Sequence, residues 1–316
     1  MKKIAFLFAG QGSQKLNMGK DFYDSLESSK KIFDDADEAL GFKITDVIFG
    51  DNKEILDETE NTQPAVVAFN MAAQCALESF GVEADMAAGL SLGEYNALIY
   101  GQALNYKDAI PLVKKRGKFM QEAVPLGVGG MAAILKLDDE TVEEICSAVS
   151  TEDSIVECAN YNCPGQIVIS GANEALNKAI VLAKEKGGKA VKLPVSAPFH
   201  CSMLESASLK LEDELKNIKV SSPQTKVYCN VTGKAYGKDD DVKEMLKKQV
   251  VSSVLFTHIV KDMIDNGAEI FVEIGPAKTL SSFVKKIKKD AAVFNVYDME
   301  SLKNTIEGIK KLQEEC

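Results

Sequence analysis

The stretch that decides the fold is residues 84–98, ADMAAGLSLGEYNAL. A short apolar run, roughly 84–90, passes into Gly89-Leu90-Ser91-Leu92-Gly93 and then into a segment with helical spacing. G-x-S-x-G between a strand and a helix forms a nucleophile elbow, in which the glycines permit a tight, strained turn that lifts the serine hydroxyl clear of the sheet. The backbone N–H of Leu92, at the helix start, then points toward a developing oxyanion. The competing reading is a glycine-rich strand-to-helix connection with no chemistry.

Working outward, the run at 4–9 is continuously apolar and ends at glycines, as expected of a strand buried on both faces of a parallel sheet. Phe22, Leu26, Phe33, Ala36 and Leu40 predict one helical stripe, stopped at Gly41. A second helix carries Val66, Phe69, Ala73, Leu77 and Phe80, with Pro64 near its start. Strand, helices, strand, tight turn and helix indicate α/β architecture. After the glycine-rich 127–130 the pattern changes to β-α-β-β-α-β over about 65 residues, the split βαβ, ferredoxin-like unit. Residues 127–197 are expected to form a small α+β subdomain inserted into a larger α/β domain made of 1–126 and 198–316. In the latter, strands are expected at 226–231, 269–274 and 291–297.

Composition narrows the chemistry. The 316 residues carry 37 Lys+Arg against 47 Asp+Glu, a net charge of −10. That balance disfavours a nucleic-acid binder, which needs a basic face. The seven cysteines have irregular spacing and no C-x-x-C pair. They read as reduced thiols of a cytoplasmic protein rather than as a metal or redox site, so no metal or cofactor is expected. The opening apolar run is too short for a secretory h-region, and no stretch is long enough to cross a bilayer. The histidines are His200 and His258, and of the 37 basic residues only Arg116 is an arginine. Any imidazole base is therefore one of two residues, and any guanidinium fork is Arg116.

A serine nucleophile requires a base. His200 lies just where the inserted subdomain rejoins the larger one, and such junctions favour clefts. His258 sits in an apolar-flanked helical stretch and reads as packed or surface. No carboxylate orienter for His200 is evident locally, so a backbone carbonyl or side-chain amide could hold the ring. Gly10-Gln11-Gly12 fails the dinucleotide fingerprint because Lys15 occupies its last glycine position. It is either a plain turn or the source of a second oxyanion donor, the Gln11 N–H. Arg116, in KKRGK, would ordinarily be part of a solvated helix face. A chain that uses lysine at every other basic position has a specific need for a planar, two-pronged donor there, which a substrate carboxylate would supply.

Together these segments resemble the malonyl-CoA:acyl carrier protein transacylase family over nearly the whole chain. The matching stretches are FAGQGSQ at 8–14, GLSLGEYNAL at 89–98, RGKFMQEAVP at 116–125, NYNCPGQIVISG at 160–171, PFHC at 198–201 and EIGP at 273–276. The resemblance implies a hydrolase-like α/β core with a ferredoxin-like insertion. It implies that Ser91 is the acylated nucleophile and His200 its general base, oriented by the backbone carbonyl of Gln249. Gln11 and Leu92 would donate to the oxyanion, and Arg116 would pair with the malonyl carboxylate. Asn160 and Asn162 match polar residues lining the thioester cleft, and Phe199 an aromatic residue associated with malonyl selectivity. The family usually has G-H-S-x-G, whereas this chain has Leu90 before the nucleophile.

The implied reaction is ping-pong transfer from malonyl-CoA to the phosphopantetheine thiol of acyl carrier protein, by a cytoplasmic monomer with no nucleic-acid or membrane partner. Two other readings use the same residues: a serine hydrolase, against which Arg116 speaks, and a non-catalytic acyl-CoA or carrier-binding module, against which Ser91 and His200 speak. Acyl carrier proteins are acidic, so docking would need local lysines, either Lys107, Lys114, Lys115 and Lys118 or Lys285, Lys286, Lys288 and Lys289.

Overall fold

Alternation along β1 (Lys3–Phe8) sets the layering of the molecule. Ile4, Phe6 and Phe8 enter one apolar cluster while Ala5 and Leu7 enter another, as the two-residue period of a strand requires. Both faces are therefore covered. In the computed structural model, which describes residues 1–195 and 197–315, β1 is the centre of a five-stranded sheet. Its order is β7 (Lys226–Val227), β2 (Met86–Gly89), β1, β8 (Ala268–Ile274) and β9 (Ala292–Val296), and all neighbours are parallel. Phe8 pairs with Gly89 on one side and Ile274 on the other, so β2, β1 and β8 finish level. The loops that follow them gather along one edge, where parallel sheets place their sites. At that edge the buried Glu273 accepts from the N–H groups of Leu280 and Ser281 at 3.1 and 2.7 Å, anchoring the start of the helix Thr279–Ile287.

The second sheet is wholly antiparallel, with order β4 (Val156–Cys163), β5 (Gln166–Ala172), β3 (Gly129–Leu135) and β6 (Lys189–Lys192). Its helices, Asp139–Val149 and Asn173–Glu185, share one apolar cluster with Ala132, Ile134, Val156 and Ile169 on one face. This is the ferredoxin-like arrangement. The opposite face contributes Met131, Ala159 and Val168 to the main core, so the antiparallel sheet lies against the larger unit. Two main-chain bonds fasten the contact, Tyr161 N–H to Val254 O at 2.9 Å and Val254 N–H to Ala159 O at 2.8 Å.

Three local expectations need correction. The stripe from Phe22 to Leu40 is two helices, Lys20–Ser25 and Glu27–Leu40, because Leu26 is extended at φ −127°. The first piece is held separately, since Asp21 accepts from the N–H of Met299 at 2.6 Å. The strand expected over 84–90 is confined to Met86–Gly89, and Asp85 instead accepts from the N–H of Ile4 at 2.8 Å. The strand expected over 226–231 stops at Val227, where the chain turns so that Asn230 can reach the elbow. The six described cysteines are free thiols, while Cys316 and Ser196, which precedes the Ala197–His200 turn, lie outside the described residues. Among the described residues no helix is long and apolar enough to cross a membrane, and no group of three or more His, Cys, Asp or Glu could hold a metal ion.

Candidate active site

Both elbow glycines are required by close approach. A Cβ on Gly89 would lie 1.9 Å from the carbonyl carbon of Gly93, and one on Gly93 would lie 2.1 Å from the Phe8 oxygen. Between them Ser91 sits in the left-handed region at φ 54°, a strained conformation for a residue with a Cβ. Asn230, fully buried, holds it there. Its Oδ1 accepts from the Ser91 N–H at 2.6 Å and its Nδ2 donates to the Gly89 carbonyl at 2.8 Å. The Gly10–Gln11 turn lies directly against the elbow, because a Cβ on Gly10 would meet the Leu90 oxygen at 2.4 Å. The main-chain N–H groups of Gln11 and Leu92 thus come from adjacent strand ends.

His200 is buried, and its Nε2 lies 2.6 Å from Ser91 Oγ. Its Nδ1 lies 2.8 Å from the carbonyl of Gln249, the last residue of the helix Val242–Gln249. A helix C-terminus leaves carbonyls without intrahelical partners and carries partial negative charge, so this oxygen does the orienting a carboxylate would otherwise do. Because a carbonyl only accepts, Nδ1 carries the proton and Nε2 is left to accept from the serine. Burial, reinforced by the nearby Arg116 charge, pulls the imidazole down to about 4 against the main-chain bonds to Gln249 and Ser252.

Arg116 projects from the helix Tyr106–Glu122 and is 1 % exposed, far from the solvated face that the basic run alone would suggest. One terminal nitrogen donates to Gln63 Oε1 at 2.9 Å. The other donates to Ser91 Oγ at 3.2 Å and Gln249 Oε1 at 3.0 Å. Its guanidinium carbon stands 5.5 Å from the Tyr95 ring centroid, a cation–π distance. The Gln249 amide nitrogen in turn donates to the Ser91 carbonyl at 3.0 Å and to Glu94 at 2.6 Å. A cavity of about 590 Å³ opens beside His200, between the helix Asp139–Val149, β4 and residues 251–253.

A half-buried, strained serine against a buried neutral imidazole, with a buried guanidinium on the same hydroxyl, is suited to acyl chemistry on an anionic substrate. An acyl transferase domain family matches residues 5–307. The chain is 42 % identical to the malonyl CoA-acyl carrier protein transacylase of Bacillus subtilis (strain 168), over 98 % of both chains. It belongs to the malonyl-CoA:acyl carrier protein transacylase family. A solved malonyl CoA-acyl carrier protein transacylase from Clostridium perfringens superposes with a TM-score of 0.96 at 51 % identity, covering 98 % of each chain. A malonyl-transacylase solved in complex with its type II PKS acyl-carrier protein superposes at 0.93 and 35 % identity, over 96 % of this chain and 99 % of that one.

The remaining residues expected from the transacylase resemblance are more dispersed. Asn160 and Asn162 are buried on β4, but among the described residues they make no hydrogen bond to Ser91, His200, Arg116 or Gln249. The Asn162 Oδ1 has no partner there. Phe199 is 7 % exposed within the main core, and the half-buried Leu90 packs on the apolar cluster containing Cys163, Val254 and Phe256. His258 is exposed, its ring edge-on to Tyr161 at 6.3 Å.

Residues that sequence reasoning missed are Asn230, Glu94, Gln63 and Tyr236. Glu94 had one signal, the only charge in the buried helix Gly93–Tyr100. Nothing local marked the other three. The two lysine clusters also differ. Lys107, Lys114, Lys115 and Lys118 each have a carboxylate partner, in Asp35 and Glu38, Glu60, Glu214 and Glu122 respectively. Among the described residues Lys285, Lys286, Lys288 and Lys289 have none; Lys285 Nζ donates to the Ala291 carbonyl at 2.6 Å and Lys286 Nζ to Gln166 Oε1 at 3.0 Å.

Proposed function

We propose that this chain transfers the malonyl group from malonyl-CoA to the phosphopantetheine thiol of acyl carrier protein through a malonyl-serine intermediate, supplying extender units for fatty-acid synthesis. His200 Nε2 takes the Ser91 proton as Oγ attacks the thioester carbonyl. The N–H groups of Gln11 and Leu92 receive the oxyanion, and the Gln249 carbonyl holds the base. As the tetrahedral intermediate collapses, the C–S bond breaks and the sulfur leaves with the proton from His200. The carrier thiol then attacks the malonyl ester in the reverse sense. Arg116 grips the free carboxylate, while Asn160, Asn162, Phe199 and Leu90 line the acyl cleft. Residues 1–126 and 198–316 form the acyltransferase body and 127–197 the subdomain that closes over it. The setting is the cytoplasm, and the working form a monomer.

The observation that carries this reading is the buried Arg116 guanidinium within 3.2 Å of the Ser91 hydroxyl, which brings a carboxylate-binding charge to the nucleophile itself. Arg116→Ala is expected to lower malonyl transfer by roughly 100-fold, the value of a charged, two-pronged contact, and acetyl transfer by much less. Equal losses for the two acyl groups, measured as initial rates from each CoA thioester, would contradict the carboxylate role.

A further inference from the structure

Gln249 is held at both ends of its side chain, and only one of the two amide orientations satisfies its neighbours. Arg116 offers donors alone, so it needs the amide oxygen at its side, where Oε1 accepts at 3.0 Å. A flipped amide would bring an NH₂ group against the guanidinium. What secures the observed orientation is Glu94, whose Oε2 accepts from Gln249 Nε2 at 2.6 Å. The same oxygen accepts from the Asn230 N–H at 3.1 Å, and the other oxygen accepts from the Tyr236 hydroxyl. Glu94 is fully buried, so its geometry is fixed by these bonds rather than by water. Through them it ties Gln249, which orients His200 and accepts from Arg116, and Asn230, which pins the elbow, into one network.

We propose that Glu94 is a positioning residue for acyl transfer: as a buried acceptor it fixes the Gln249 amide and the Asn230 segment, and so keeps His200, Arg116 and the Ser91 elbow in register. This rests on the acyl-transfer reading above. The acceptor oxygen does the positioning, and a formal charge is not needed. Burial raises the carboxyl to about 7, against bonds from Tyr236, Gln249 and Asn230 and the charge of Arg116. The other titratable groups facing it are Cys229 and Tyr95. Glu94→Gln keeps an oxygen for Gln249 and Asn230, and its NH₂ can donate to the Tyr236 hydroxyl. Glu94→Asp keeps the charge but withdraws the oxygens by one methylene.

The test is single-turnover formation of the acyl-enzyme from malonyl-CoA by the full chain and by the Glu94→Ala, Glu94→Gln and Glu94→Asp variants, with thermal melting of each. Glu94→Ala is expected to lower the rate constant about 100-fold, the usual effect of displacing reacting groups by about 1 Å, while still binding malonyl-CoA. Glu94→Gln is expected to stay within about threefold of the unsubstituted chain, and Glu94→Asp to lose at least about tenfold. A folded Glu94→Ala that acylates at the unsubstituted rate overturns the assignment. If Glu94→Ala does not fold, the order of the other two decides, and a faster Glu94→Asp than Glu94→Gln overturns it. If the unsubstituted chain takes no acyl group, the transfer reading fails instead.

Discussion

Ser91 Oγ and His200 Nε2 lie 2.6 Å apart, and the opposite nitrogen of the same ring meets a main-chain carbonyl in place of a carboxylate. The pair is therefore a dyad whose second member is oriented by the Gln249 carbonyl at a helix end. Buried, close to Arg116 and with no carboxylate bonded to the ring among the described residues, His200 is neutral over the ordinary pH range.

This has a kinetic consequence. The acid limb of kcat/KM for acyl-enzyme formation is expected near pH 4, well below the ordinary histidine value of 6.5. A stability consequence accompanies it. Below pH 6.5 the unfolded chain protonates this histidine while the folded chain does not, so stability is lost as pH falls from about 6.5 to about 4, by of order 3 kcal/mol in all. Initial rates between pH 3.5 and 8 check the first point, and an acid limb at 6 or above would contradict it.

Carrier docking is expected to depend on which lysines lack an ion pair. Each lysine of the Lys107 cluster has a carboxylate partner, whereas among the described residues Lys285, Lys286, Lys288 and Lys289 have none, Lys285 and Lys286 donating to neutral oxygens. Lys285→Glu combined with Lys286→Glu is expected to raise KM for acyl carrier protein roughly tenfold and to leave the half-reaction with malonyl-CoA unchanged. Lys107→Glu is expected to leave both steps unchanged. The steady-state KM for the carrier checks this, and a larger effect from Lys107→Glu would contradict it.

What could be read in advance depended on whether side-chain identity carries the signal. The elbow was legible because two close approaches leave no room for a Cβ at Gly89 or Gly93, and the ferredoxin-like unit because its strands and helices alternate in a recognisable order. Ser91, His200 and Arg116 stood out as rare or specially placed residues, and the structure brings them within hydrogen-bonding distance of one another through Ser91 Oγ. The carbonyl at Gln249 was out of reach of residue-level reasoning, since every residue has one and only the helix end makes this one available; family resemblance alone pointed to it. Asn230 and Tyr236 were hidden for another reason. They act across more than a hundred residues of chain on Ser91 and Glu94, and short-range spacing records nothing of such contacts. The break at Leu26 also left no mark in the periodicity: the residue is extended between two helices, and the first of them is tied through Asp21 to the distant Met299.

The central claim is that Ser91 carries the acyl group. Brief mixing of the protein with malonyl-CoA, followed by mass spectrometry of the intact chain and its peptides, tests it most directly. One malonyl increment on the peptide containing Ser91, absent in Ser91→Ala and discharged on adding acyl carrier protein with its phosphopantetheine thiol, is the predicted result. A wild-type chain that transfers malonyl while Ser91 stays unmodified, or one that takes no increment at all, would contradict it.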